Sequence, residues 1–373
     1  MRSFVVLGIT VIAFSTAAAA CSGSGTGTGG TLGTSPVVGN TSHFNACPVG
    51  GSDALPALRC AAASGAPRIA LALCGDLVAD NTLTLDASGG NLVVSGTSTT
   101  SAPLVVSGDF ESAGTIDARN TQQVSGSLRG GADWNTSAPV TIGGDALLAG
   151  SLNATNTVTV TGKLQAAAVH SNQTPSVNAG QIIDGAAPFA SELDCQNRPN
   201  ISALANGVVA DATIAGVFPS NSLENVNSPT DISIACGPYV LTNVAVNSPL
   251  TIHVLDAATL VIRGNLTIAS PLVIDVASGA KFDLVVGGDV AVNNTLTISG
   301  GGAATTFVAV GGALNVAAPL QLDGSLVVDG QLDANNTVTI SGAAFLSGLH
   351  VASPVQVHAG ASPAPAFGGN GCL

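Results

Sequence analysis

Residues 138–160 read Ala-Pro-Val-Thr-Ile-Gly-Gly-Asp-Ala-Leu-Leu-Ala-Gly-Ser-Leu-Asn-Ala-Thr-Asn-Thr-Val-Thr-Val. Three short stretches, around Val140–Ile142, Ala146–Leu148 and Ser151–Asn153, alternate apolar and polar side chains, which is a strand pattern and not a helical one. Gly, Asp and Asn separate them. Strands this short bury little on their own, so the pattern is informative only because it recurs.

It recurs along most of the chain after Cys74. Two phrases take turns: Asn-Thr-x-Thr-x, at Thr82, Thr157, Thr295 and Thr337, and Pro followed by an apolar pair one residue apart, at Pro103, Pro139, Pro249, Pro271, Pro319 and Pro354. Pro139 to Thr157 and Pro319 to Thr337 are steps of 18 residues, and Thr337 to Pro354 is 17. A step carrying about three strands is one coil of a solenoid, whose apolar face is covered only when neighbouring coils stack on it. Residues 138–170 also align with 318–350, matching Ala-Pro at the start, Asn-Thr-Val-Thr in the middle and His170 with His350 at the end. The sequence therefore predicts an all-β fold, a parallel β-helix or β-solenoid internally duplicated into two lobes, with disulfide-pinned caps over its ends.

The composition fits. Of 373 residues, 46 are Gly and only 8% are charged, too few to dress the wet faces of helices in an ordinary α/β enzyme. At 46% hydrophobic the chain is not a disordered one. One Trp, one Tyr and ten Phe cannot build the aromatic girdles of a transmembrane barrel. Nine basic residues against 22 acidic ones, a net charge of −13, repel phosphate backbones, so no nucleic-acid partner is expected.

The ends and cysteines speak to location. Residues 1–20 have a positive start, an apolar stretch from Phe4 to Phe14 and small residues before Cys21, the order of a secretory signal peptide. Ala18-Ala19-Ala20-Cys21 resembles a bacterial lipobox, with Ala at the place of the usual Leu. Seven cysteines are one lipidated Cys21 plus three disulfides among Cys47, Cys60, Cys74, Cys195, Cys236 and Cys372, whose pairing the sequence leaves open; Cys195 and Cys236 bracket a connector whose loop they would close. The expected layout is a signal at 1–20, a Gly/Ser/Thr tether at 21–42, an N-terminal cap at 43–73, a first lobe at 74–190, a connector at 191–235, and a second lobe with its C-terminal cap at 236–373.

Short-strand coils, the Gly-Asp corners at Asp109 and Asp289 and the Cys-anchored start resemble bacterial cell-surface parallel β-helix proteins. The coil length is also similar to that of bactofilins, the polymer-forming β-helix proteins. The resemblance implies a fold more than an activity.

No chemistry-bearing constellation stands out. The acids Asp86, Asp109, Asp117, Asp145, Asp275, Asp283, Asp289, Asp323, Asp329 and Asp333 are scattered singly, mostly beside Gly or Ala where turn-capping explains them. His43, His170, His253, His350 and His358 lack zinc-ligand spacing. No catalytic residue, metal site or cofactor is assigned. The expected function is that of an envelope-anchored surface lipoprotein, outward-facing on the bacterial outer membrane, with a structural or adhesive role. Its membrane partner would be reached through the lipid on Cys21, and its other partners would be surface polysaccharide or envelope proteins. The alternatives are plain secretion, a carbohydrate-active β-helix enzyme (a polysaccharide lyase or hydrolase) and a self-assembling filament subunit.

Overall fold

The computed structural model describes residues 69–358, apart from 87–89, 179–180, 192, 194, 196–197, 199, 209–222, 236 and 302–304. The expected signal, tether and most of the N-terminal cap lie outside the described residues, as do Cys21, Cys47, Cys60, Cys236, Cys372 and His43.

The fold is the parallel β-solenoid that the repeats predict. One coil consists of Leu128–Gly130, Trp134–Thr136 and Val140–Ile142, each buried at its first and last residue and open at its middle one. The next coil, Ala146–Leu148, Leu152–Ala154 and Val158–Val160, pairs with it strand for strand and in parallel. Each coil thus contributes to three faces, here called face 1, face 2 and face 3 in that order. Face 3 is a 13-stranded parallel sheet. Faces 1 and 2 form a 24-stranded sheet, joined where Ser325–Ala334 and Ala344–Val351 run round the corner from one face to the next.

Inward residues stack in columns at the coil spacing of about 4.8 Å. One column on face 3 reads Leu250, Leu272, Leu296, Leu320, Val338, Val355, Leu83, Leu104, Gln122, Val140 and Val158, every member at most 4% exposed. Gln122 is the exception in kind, and its amide donates to Thr100 Oγ1 inside the core at 2.9 Å. Close stacking at the corners requires glycine. A Cβ on Gly330 would sit 2.5 Å from the carbonyl oxygen of Gly312 in the coil below.

The order of that column reveals how the chain is routed. Leu83–Leu85 pairs on one side with Leu104–Val106 and on the other with Val355–Val357. Ile69–Leu73 likewise lies between Asn91–Val94 and Ala344–Val351. The chain therefore enters at the middle of the stack, winds outward to one end at Ile182–Asp184, crosses back, restarts at the opposite end with Asn225–Val226, and winds inward until its last coil meets its first. The two stretches expected as separate lobes are stacked end to end as one body. Ile69–Leu73, inside the stretch assigned to the cap, already belongs to the solenoid, as do Asn225–Val226 and Thr230–Ile234 of the assigned connector.

The crossing segment lies along face 1 as a strap. Its landmarks run from Ala187, whose N–H donates to Leu148 O at 2.8 Å, through Cys195, disulfide-bonded to Cys74, to the helix Ile201–Gly207 and Val208, whose carbonyl accepts from Arg263 Nη2 at 3.0 Å. The expected closure of Cys195 on Cys236 is replaced by this Cys74–Cys195 bond, because the strap is fastened to the coil it crosses and not closed upon itself. The disulfide also pins the middle of the stack, where the sequence reading put its pins in end caps. Beneath the strap the outward residues of face 1 are apolar and form one register column: Val261, Val285, Ala309, Val327, Phe345, Ala72 and Val93. They are buried against Leu193, Ile201 and Ala205. Ile201 and Ala205 are one helical turn apart, so the short helix presents a single apolar stripe to the ridge, and Asn200 caps it by accepting from Ala203 N at 2.9 Å.

Candidate functional site

With much of face 1 covered by the strap, faces 2 and 3 carry the accessible side chains. On face 3 the outward column reads Asp231, Thr251, Val273, Thr297, Gln321, Thr339, Gln356, Thr84, Val105, Gln123, Thr141, Thr159 and Ser176, with its one charge, Asp231, at the end of the stack. In the Asn-Thr-x-Thr phrases only the second Thr stands in that column. The first occupies the corner, where its N–H donates to the side chain of the Asn before it, at 2.8 Å in Thr82, Thr157, Thr295 and Thr337.

On face 2 the outward column includes Asp117, Asn135, Asn153 and His170 in consecutive coils. These four line a groove of about 430 Å³, together with Thr136, Ser137, Thr155 and Asn172 from the edge toward face 3. Asn153 Nδ2 donates to Asn135 Oδ1 at 2.9 Å, which orients both amides and leaves the Asn135 amino group and the Asn153 carbonyl with further bonding capacity. Asp117 is held by Arg119 through two bonds, at 2.6 and 3.0 Å. That carboxylate also raises the Arg119 pKa above its ordinary value, by hydrogen bonding first and by charge second. The groove is thus a row of amides, hydroxyls and one neutralised carboxylate.

Three of the acids read as turn caps act so across coils. Asp109 Oδ1 accepts from Ser127 N at 2.7 Å, Asp145 from Lys163 N at 3.0 Å, and Asp289 from Ala313 N at 2.8 Å. Asp109 and Asp289, matched in sequence, have matching roles. His170 and His350 share the outward column of face 2, as their matched positions imply, but only His170 lines the groove.

Sequence spacing missed the carboxylate partners of three histidines. His350 lies between Asp80, at 3.4 Å from Nε2, and Asp333, at 3.5 Å from Nδ1. His253 lies between Asp231 and Asp275, at 3.2 and 3.6 Å, and His358 Nδ1 is 2.6 Å from Asp86. The signal that would have found them is the coil register, since each ring faces a carboxylate one coil away or across the junction of first and last coils. Among the described residues no group of three or more His, Cys, Asp or Glu side chains is arranged to hold a metal ion. Among them, too, no helix is long and apolar enough to cross a membrane.

Asp329 is partly buried under the strap. One oxygen accepts from Ile201 N at 2.9 Å, the other is buried without a partner, and burial raises its pKa above the usual carboxylate value, against smaller lowering effects of the Ile201 N–H and the Arg198 charge. Its place beneath the strap marks it as a docking residue of that segment.

Compared with known proteins, the chain matches no family model, no curated protein and no solved structure.

Proposed function

We propose that this chain is an exported, lipid-anchored surface protein whose solenoid is a rigid rod that binds hydroxyl-rich polymers, surface polysaccharide first among them. The groove carries the reading: Asp117, Asn135, Asn153 and His170 offer donors and acceptors at the coil spacing, beside a face-3 column made mostly of Thr, Gln and Val. Such a row suits a neutral glycan, which presents hydroxyls repetitively and carries no charge to be matched. The anchor rests on the signal-like residues 1–20 and on Cys21. A disulfide between Cys74 and Cys195 supports an oxidising compartment. No catalytic step forms part of this reading.

Two measurements test it. Fatty-acid labelling of cells should mark the wild-type chain and not Cys21→Ala, and equal labelling of both rejects the anchor. On a glycan array, Asn135→Ala/Asn153→Ala is expected to lose at least tenfold in affinity for the polysaccharide that wild type retains, with circular dichroism unchanged. No retained glycan, or unchanged affinity in the variant, rejects the groove as the site. Release of reducing sugar from a bound glycan would favour the enzyme alternative instead.

A further inference from the structure

The contact between the last coil and the first is unlike every other step in the stack. Elsewhere a coil rests on one close to it in sequence; here Asn81 Nδ2 meets Ala352 O across 271 residues. All three faces pair at this seam, in the registers Leu71 with Ala344, Val78 with His350, and Thr84 with Gln356. Backbone bonds close it, including Val355 N to Thr82 O at 3.0 Å and Asp80 N to Val351 O at 2.9 Å. His350 beside Asp80 and His358 beside Asp86 bridge it with side chains.

Among the described residues the covalent path between the two sides is the strap. The disulfide fastens Cys195 to Cys74, on the N-terminal side, while Ile201 docks on Asp329, on the C-terminal side. Cys195 thus sits on the N-terminal side, while Arg198, whose Nη1 donates to Ser347 Oγ, already touches the C-terminal side. Each half is built from steps between nearby coils, so it can wind before the seam closes, because long-range closure costs more chain entropy than local pairing. Until closure, each half presents a three-faced parallel edge whose complement lies on the other half. A second copy offers the same complement.

We propose that the seam is a self-association site, at which the C-terminal half of one copy stacks on the N-terminal half of another. Reciprocal exchange closes a dimer; exchange handed on from copy to copy builds an open chain of rods. The partner is a second copy of this chain, and the contact is the one already seen within the molecule.

Thr84 and Gln356 are register partners with outward side chains, and parallel neighbours lie within disulfide reach. Full-length Thr84→Cys and Gln356→Cys chains are unfolded together with reductant, refolded as a mixture over a range of concentrations and oxidised. The expected product is a dimer of one chain of each kind, linked between positions 84 and 356 by peptide mapping, its fraction rising with concentration. The doubly substituted chain, Thr84→Cys/Gln356→Cys, should form the link within itself at high dilution. An internal link in that chain, with no 84–356 link between chains at any concentration, overturns the proposal. Dimers joined only through other cysteines do the same, and absence of both links overturns the seam itself.

Discussion

Asn156 shows what one side chain does in a coil. Its Oδ1 accepts from Thr157 N at 2.8 Å, and its Nδ2 reaches Ser137 O in the neighbouring coil at 3.4 Å. Asn81, Asn120, Asn294 and Asn336 repeat the pair of contacts. The backbone explains why Pro alternates with Asn-Thr. The residue opening each face-3 strand has an N–H outside the ladder; Pro has none, and Thr gives its own to Asn. Both phrases were legible in the sequence, but the Asn Nδ2 bond that ties the corner to its neighbour was not, because it spans two coils. Replacing Asn156 by Ala should cost about 1–2 kcal/mol, the worth of one or two partly exposed hydrogen bonds, read as a lowered urea midpoint at unchanged slope. Asp329 gives a pH prediction. Since burial raises its native pKa, the folded chain holds the proton to higher pH than the unfolded one. Its contribution to stability is therefore full below the ordinary carboxylate range and is lost as pH rises through the native value. Asp329→Asn keeps an oxygen for the Ile201 N–H and removes the titration. Urea unfolding from about pH 4 upward should show wild type losing stability relative to the variant, and parallel curves would reject the assignment.

At the scale of elements, the strap is the feature that sequence reading placed least well. Its ridge was visible in principle. Ala258-Thr-Leu-Val-Ile262, Phe282-Asp-Leu-Val-Val286 and Thr306-Phe-Val-Ala-Val310 are buried at every position, outward ones included, where ordinary strands of this chain are open in the middle. Continuous apolar runs mark strands covered on both faces. What covers them could not be read, because nothing local sets Leu193, Ile201 and Ala205 apart from the connector's other apolar residues, such as Leu223, Ile232 and Ile234. The strap should depend strongly on its disulfide, which closes a separation of 121 residues. Chain-entropy arguments put such a closure at about 4–5 kcal/mol in the unfolded state, an upper figure for the loss in Cys74→Ser/Cys195→Ser. The expected result is a lower denaturation midpoint for the variant, and hydrogen exchange accelerated first in Ile201–Gly207. Reductant should lower the wild-type midpoint toward that of the variant. Equal midpoints for the two oxidised proteins would show that packing alone holds the strap.

For the whole molecule, the seam makes the chain order differ from the stack order. Ordinary face-3 strands pass to the next face 1 through a three-residue corner, as Val124 does to Leu128 through Ser125, Gly126 and Ser127. Val357 and Leu71 stand in the same relation without the corner. A circular permutant opened within 209–222, with Val357 joined to Leu71 by such a corner, should therefore fold to the same solenoid and lose the exchangeable seam. Hydrogen exchange at the seam supplies the readout: the Asp80 and Val355 amides, bonded to Val351 O and Thr82 O, should be as protected in the permutant as in wild type. Loss of protection at these amides alone would mean that the halves do not stack in this order.

The sequence by itself determined the coil. Apolar ends around an outward middle residue, small corner residues and the 17- and 18-residue steps leave a parallel solenoid as the arrangement that buries the aliphatic side chains, since these are local periodic properties written in every coil. The tertiary structure alone decided the order in which coils stack, the partner of Cys74, the cover over face 1 and the groove between Asp117 and His170. Each of these joins residues far apart in the chain, and similar coils offer nearly the same pairing edge to one another. Only the joint fit of strap, ridge and closing seam selects one arrangement among them.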